Sequence, residues 1–238
     1  MFHVEQSPPA DWLANRLREL FDGLEKLQIR ISAQQREQFS MYLSLLWEGN
    51  QKVNLFSRKD FDRLANRHIL ESIGWVKLLK ISLSGNCVDV GSGAGFPGIP
   101  LKIVFPDINL VLIESIAKKA LFLKEVIQKL GLPFTTVLRE RAEILSGQAE
   151  YRGKFNFGFA RAVSSLSNLI QWTRPFFVPG GHLFSIKGGN LASEIKPLDV
   201  LVRQKKIKLK IYDYFINFTA DPDLFVNRKI VDVEFLSY

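Results

Sequence analysis

The sequence predicts an α/β fold: a doubly wound, mostly parallel sheet of seven strands that ends in an antiparallel hairpin, with a helical region in front of it. Three observations lead there. From residue 87 onward, short apolar runs alternate with segments of helical period, the pattern of βαβ units and hence of parallel pairing. A glycine-rich turn follows the first of these runs and opens a helix. The last two apolar runs have no helix between them, so they are expected to close the sheet antiparallel.

Between Trp12 and Leu79 apolar residues recur at helical spacing, Leu13, Leu17, Leu20, Phe21 and Leu24 first, then Phe39, Leu43, Leu46 and Trp47, with Ser32 placed as an N-cap. Gly49, Asn50 and the stretch 54–60 interrupt that pattern, and a further helix is expected over 61–79. Ser84, Gly85 and Asn86 then put a boundary near residue 82, dividing a helical region, 1–82, from a sheet domain, 83–238. Strands are expected over 87–90, 110–114, 134–138, 155–160 and 182–187, with helices over 97–104, 118–130 and 166–173. The closing strands, 206–218 and 228–235, flank a polar turn carrying Asp221, Pro222 and Asp223.

Bulk properties narrow the function. At 238 residues and 47% hydrophobic, the chain supplies a core for one α/β domain and a smaller appendage. No apolar run approaches the roughly 20 residues of a membrane span, and the stretch from Met1 to Asp11 lacks the basic-then-apolar order of a signal peptide, so a soluble, cytoplasmic protein is expected. The single cysteine, Cys87, excludes an internal disulfide, and three scattered histidines, His3, His68 and His182, form no metal-ligand pattern. A net charge of +8 and a pI near 9.6 favour an anionic partner, although a basic protein with no nucleic-acid partner fits charge alone equally well.

The turn reads Val88-Asp89-Val90-Gly91-Ser92-Gly93-Ala94-Gly95-Phe96-Pro97-Gly98. Its spacing is G-x-G-x-G, where a dinucleotide fingerprint would want glycine in place of Phe96, and no Gly-Lys-Ser/Thr follows to make a P-loop. Missing side chains at Gly91 and Gly93, with Ser92 between them, let the backbone approach a ligand closely. Glu114 ends the second strand, where a carboxylate accepts both hydroxyls of an adenosine ribose. Asp89 is placed either to face a cofactor ammonium group or to hydrogen-bond the turn. With the antiparallel ending, these features predict a Rossmann-like, class I S-adenosylmethionine-dependent methyltransferase.

Methyl transfer from a sulfonium relies on positioning and desolvation, and needs a general base only where the acceptor must lose a proton. Methylation of adenine amino groups goes with Asn or Asp followed by Pro-Pro and an aromatic residue after the fourth strand, but Ala160-Arg161-Ala162-Val163 stand there. Cys87 opens a buried strand and reads as a core residue, not a nucleophile. An acceptor with a ready lone pair remains, such as N7 of guanine. Arg161, at the end of the fourth strand, is placed to pair with the donor carboxylate, a phosphate or a guanine edge. Lys187 ends the fifth strand in a similar place, although a solvated loop lysine fits as well.

Four stretches then resemble the bacterial 16S ribosomal RNA guanine-N7 methyltransferases, the glucose-inhibited division protein B family: Asn54-Leu55 with 67–72 (Arg-His-Ile-Leu-Glu-Ser), residues 88–100, Arg141-Ala142-Glu143, and Arg161-Ala162 with Lys187-Gly188. The resemblance covers roughly residues 39–188. It implies that Gly91 and Phe96 contact S-adenosylmethionine, that Ala142 and Glu143 flank its adenine, and that Arg161 lines the pocket, with Arg67 and His68 reaching the site from the helical region. Arg67, His68 and Lys187 are the residues expected toward the RNA. Glu71 stands where that family more often has Asp, and the acidic Val231-Asp232-Val233-Glu234 replaces its basic ending. Further basic candidates are Arg58, Lys59 and Arg63, and Lys205, Lys206, Lys208 and Lys210, the last three alternating with apolar residues as on any half-exposed strand. Two rivals stay open from the sequence: a small-molecule methyltransferase, and an RNA-binding assembly protein that keeps only the cofactor pocket.

Overall fold

The computed structural model describes residues 7–216 and 226–237. Helices α1 (Ala10–Lys26) and α2 (Ala33–Lys52) open it, and Ser32 caps α2 as expected. Its hydroxyl accepts from the Gln35 amide at 3.2 Å while the Gln35 side chain accepts from the Ser32 amide at 2.7 Å, a reciprocal capping box. Helix α2 runs through Gly49 and Asn50, where the sequence suggested a break. Glycine is needed there for packing, because a Cβ would lie 2.5 Å from the Phe122 ring. Asn50 turns its carbonyl oxygen onto the amides of Leu55 and Phe56 at 2.7 and 3.0 Å, ordering the chain that leaves the helix.

The helix expected over 61–79 is three pieces: a 3-10 turn (Arg58–Arg63), a π-helix (Leu64–Leu70) and α3 (Glu71–Leu78). The sheet then follows as β1 (Asn86–Val90), α4 (Gly98–Val104), β2 (Asn109–Ile113), α5 (Ala117–Leu130), β3 (Thr135–Leu138), α6 (Ala142–Leu145), β4 (Phe155–Arg161), α7 (Leu166–Thr173) and β5 (Phe177–Lys187). After α8 (Ala192–Ile195) and α9 (Asp199–Arg203) come β6 (Ile207–Ile216) and β7 (Val226–Phe235). Strand order is β3-β2-β1-β4-β5-β7-β6, parallel except for β7, which pairs antiparallel with both neighbours. The closing hairpin is thus present, while its turn, with Asp221, Pro222 and Asp223, lies outside the described residues. Strand β5 starts five residues earlier than expected, since Phe177 already pairs with Phe155 before a register shift. Helices α6, α8 and α9, of four or five residues, are too short to show a period.

The N-terminal helices pack with α4 and α5 on one sheet face, and α6 to α9 cover the other. Trp75 of α3 lies against Phe159 of β4 and Phe184 of β5, ring centroids 6.0 and 4.8 Å away. All three rings are buried, and removing such side chains from water contributes roughly 1.5–3 kcal/mol each. The helical region therefore reaches the sheet through a shared apolar core, which holds its residues 64–71 against the end of β4. No helix among the described residues is long and apolar enough to cross a membrane.

Candidate active site

The glycine turn leaves the sheet at Val90 and re-enters regular structure at Gly98. Gly91 and Ser92 both donate their amides to the Ile113 carbonyl, at 2.9 and 3.0 Å, which clamps the turn over the end of β2. Gly93 has φ of +56°, and a Cβ there would meet open space, its nearest neighbour 3.9 Å away. Gly95 differs: its φ is +102° and a Cβ would lie 2.9 Å from the Tyr42 hydroxyl. That hydroxyl donates to the Ala94 carbonyl at 2.8 Å, and burial pushes its pKa well above the ordinary tyrosine value, so it keeps its proton.

Asp89 is fully buried and accepts from the Gly98 amide at 3.0 Å, while Ser92 donates its hydroxyl to the Asp89 carbonyl at 2.9 Å. Oδ1 of Asp89 has no partner. Burial raises its pKa to about 7, against the Gly98 and Ser92 hydrogen bonds and the more distant Arg161, which lower it. Glu114 accepts from the Gly93 amide through Oε2 at 2.8 Å and from the Ile116 amide through Oε1 at 2.7 Å. Its carboxylate thus ties the turn to the start of α5, and each oxygen keeps a further lone pair.

Two cavities open at this end of the sheet. One, of about 160 Å³, is lined by Val90, Gly91, Ile113, Ala142, Glu143 and Val163. It gathers Gly91, Ala142 and Glu143, which come from separate elements. The other, of about 330 Å³, gathers Arg67, His68, Arg161 and Lys187 with Asp60 and Arg228. Arg161 and Ala162 line the second cavity and Val163 the first, so the end of β4 is their common wall.

The π-helix explains the second cavity. Its wide turn directs the Glu71 amide to the Asn66 carbonyl, which leaves the Arg67 carbonyl without the bond an α-helix would give it. Arg161 Nη1 donates to that carbonyl at 3.2 Å, and Nη2 contacts His68 Nδ1 at 2.7 Å. Phe96 lies beneath both: its ring stacks on His68 at 5.0 Å and sits 5.0 Å from the Arg161 guanidinium carbon. Because a guanidinium only donates, Nδ1 accepts and the proton of the neutral ring is on Nε2. Burial, then the charges of Arg161, Arg67 and Arg228, lower the His68 pKa to about 3. Glu71, with a side chain 3% exposed, accepts from Arg228 Nε at 2.9 Å and lies 3.9 Å from Arg161. Lys187 is no solvated loop lysine: Nζ donates to the Ser164 carbonyl at 2.5 Å and to Glu194 at 2.8 Å.

Tyr42, Asp60 and Arg228 join the site without a signal in the sequence that would have singled them out. Tyr42 shares the apolar stripe of α2, and Arg228 reads as one charge on a half-exposed strand. Cys87 is buried, with a pKa pushed up to about 12 by desolvation, so it offers no thiolate. A larger cavity, of about 1250 Å³ and lined in part by Ile170, Leu198 and Leu201, belongs to the sheet face covered by α6 to α9 and shares no lining residue with either of the other two. Among the described residues no cluster has the ligands for a metal.

The family model described as GidB, rRNA small subunit methyltransferase G, matches residues 35–222. The chain belongs to the GidB family. The Ribosomal RNA small subunit methyltransferase G of Alkaliphilus metalliredigens is 37% identical over 202 residues, covering 82% of this chain and 84% of the relative. The protein of the same name from Dehalococcoides mccartyi is 35% identical over 227 residues, 93% and 92% of the two chains. Among solved structures, M. jannaschii TYW2 in complex with AdoMet superposes with a TM-score of 0.51 at 19% identity, over 71% of this chain and 77% of that one. The GidB chain described here therefore has the class I methyltransferase fold, in agreement with its strand order.

Proposed function

We propose that this GidB chain transfers the methyl group of S-adenosylmethionine to N7 of a guanine in 16S ribosomal RNA, in the cytoplasm. The observation that carries the reading is the common wall at the end of β4, with a glycine-turn cavity on one side and a cavity lined by basic residues on the other. The turn fits the cofactor. Gly93 leaves open space where a side chain would stand, and the unpartnered Oδ1 of buried Asp89 is an acceptor suited to an ammonium group. Gly91, Ser92, Gly93 and Phe96 hold the cofactor from the turn, Glu114 takes its ribose, and Ala142 and Glu143 flank its adenine. When bound, the cofactor supplies a methyl group activated on a sulfonium.

The residues of the second cavity suit an acceptor that needs no deprotonation. His68 is neutral and its Nδ1 is engaged by Arg161, so it is a poor general base. Arg161 is held by two contacts and by Phe96, and it orients the reacting groups without exchanging a proton. Arg67, His68 and Lys187 face the RNA.

The test is methyl transfer from labelled donor to small ribosomal subunits or their RNA at increasing salt. Transfer to RNA, with RNA binding that weakens steeply as salt rises, supports the reading. Turnover on a small molecule with little salt dependence, or donor binding with no transfer at all, contradicts it.

A further inference from the structure

We propose that Asp60 and His68 together read the Watson–Crick edge of the target guanine, which makes Asp60 the residue that sets the purine the site accepts. The proposal rests on the proposed RNA methyl transfer and adds the recognition that precedes it.

His68 supplies one donor. Arg161 holds its Nδ1 as an acceptor, so Nε2 carries the proton, and that nitrogen is buried with no hydrogen-bond partner. A buried donor left unsatisfied is costly, and a bound acceptor recovers that cost. Asp60 Oδ2 lies 3.7 Å from Nε2, too far for a hydrogen bond between them. The hydrogen bonds of the described residues give the Asp60 carboxylate no other donor, and its side chain is 27% exposed at the cavity.

Arg161 is held by the Arg67 carbonyl and His68, Lys187 by Ser164 and Glu194, and Arg228 by Glu71. His68 Nε2 and the Asp60 carboxylate thus form a pair at the cavity with no hydrogen bond of its own, an N–H donor beside a pair of carboxylate acceptors, while spare N–H groups of Arg161 and Arg228 stand around them. Guanine presents the complement along one edge: the O6 acceptor, then the N1–H and the 2-amino donors. Adenine presents an amino donor and an N1 acceptor there, so it would set donor against donor and acceptor against carboxylate. N1 and the 2-amino group lie on the six-membered ring, away from N7. A base held by that edge keeps the N7 lone pair free to meet the methyl group. Reading an unstacked base by its Watson–Crick edge is the usual route to sequence-specific RNA recognition.

The experiment uses the full-length protein, S-adenosylmethionine and small-subunit RNA in which the mapped target guanosine is kept or replaced by inosine, which lacks the 2-amino group. The wild type is expected to lose about tenfold in kcat/KM on inosine, the equivalent of one hydrogen bond of about 1.4 kcal/mol. Asp60→Ala is expected to lose at least tenfold on guanosine and to treat the two RNAs alike, with donor Kd and Tm unchanged. Asp60→Asn, which keeps the size and one acceptor, is expected to fall between. His68→Gln, which keeps a donor, is expected to keep the discrimination against inosine. A wild type that methylates guanosine and inosine equally, or an Asp60→Ala enzyme that retains the preference, overturns the proposal while leaving the methyl transfer standing. A wild type that methylates neither RNA overturns both.

Discussion

Arg161 meets His68 through Nη2 and Nδ1 at 2.7 Å, and the same guanidinium meets the Arg67 carbonyl at 3.2 Å, so one side chain from β4 fixes two consecutive residues of the π-helix. This joins the end of the sheet to the helical region at the wall between the two cavities. Arg161→Ala leaves a carbonyl and a ring nitrogen without their donor and uncovers Phe96, a loss of about 3 kcal/mol in stability as well as a fall in turnover. Arg161→Lys keeps the charge, but a single ammonium does not reproduce the planar fork stacked on Phe96, so turnover falls while the fold is largely kept. Thermal melts beside steady-state kinetics check both. Wild-type kinetics in Arg161→Lys would remove the fork from the account.

His68 gives the protein a pH dependence whose sign is fixed. Its folded pKa of about 3 lies below the unfolded value near 6.5, so between these the unfolded chain binds more protons. Its contribution is fully present above pH 6.5 and is lost as pH falls toward 3, about 2 kcal/mol of it by pH 5. Asp89, with a pKa raised to about 7, acts in the opposite sense and loses stability as pH rises from about 4 to 7. The difference between wild type and His68→Gln cancels the Asp89 effect. Denaturant unfolding at pH 5 and 7.5 is expected to show the wild type losing about 2 kcal/mol more than the variant, and an equal loss would contradict the neutral, buried ring.

Gly93→Val acts on the cofactor more than on the fold. The φ of +56° costs an L-residue about 1–2 kcal/mol, and the space around the new side chain is open within the protein. Calorimetric titration with S-adenosylmethionine is expected to show at least a hundredfold loss of affinity in a variant that still melts cooperatively. Unchanged affinity would move the cofactor off the turn.

Tyr42→Phe removes the hydroxyl that supports the Ala94 carbonyl in a buried site, at about 1–3 kcal/mol. Because Ala94 lies within the glycine turn, donor affinity is expected to fall severalfold, while the salt dependence of RNA binding stays the same. Parallel donor titrations and RNA binding curves separate the two effects.

Much of this was legible in the sequence because it depends on local pattern. The strand before Gly91, the acid at the end of β2 and the helix over 166–173 follow from hydrophobic period and glycine placement, and each stands where expected. The π-helix was not, because the apolar spacing over 61–79 serves an i→i+4 ladder as well as an i→i+5 one, and the choice depends on what accepts and donates across the fold. Tyr42 and Arg228 have roles that come from contacts with groups far away in sequence, the Ala94 carbonyl and Glu71, whereas Asp60 meets His68, eight residues on, only through the 3-10 and π turns between them. Asp89 and Glu114 were expected at the turn, but their hydrogen bonds to the amides of Gly98, Gly93 and Ile116 appear only once the turn is folded.

Mapping the methylated atom decides whether this protein is a guanine-N7 methyltransferase of the small-subunit RNA. Small ribosomal subunits lacking the modification, or their RNA, are incubated with the protein and isotopically labelled S-adenosylmethionine, and the product is digested and analysed by mass spectrometry. Label is expected on N7 of a guanine in 16S ribosomal RNA. Label on any other atom, or none in the RNA, would contradict it.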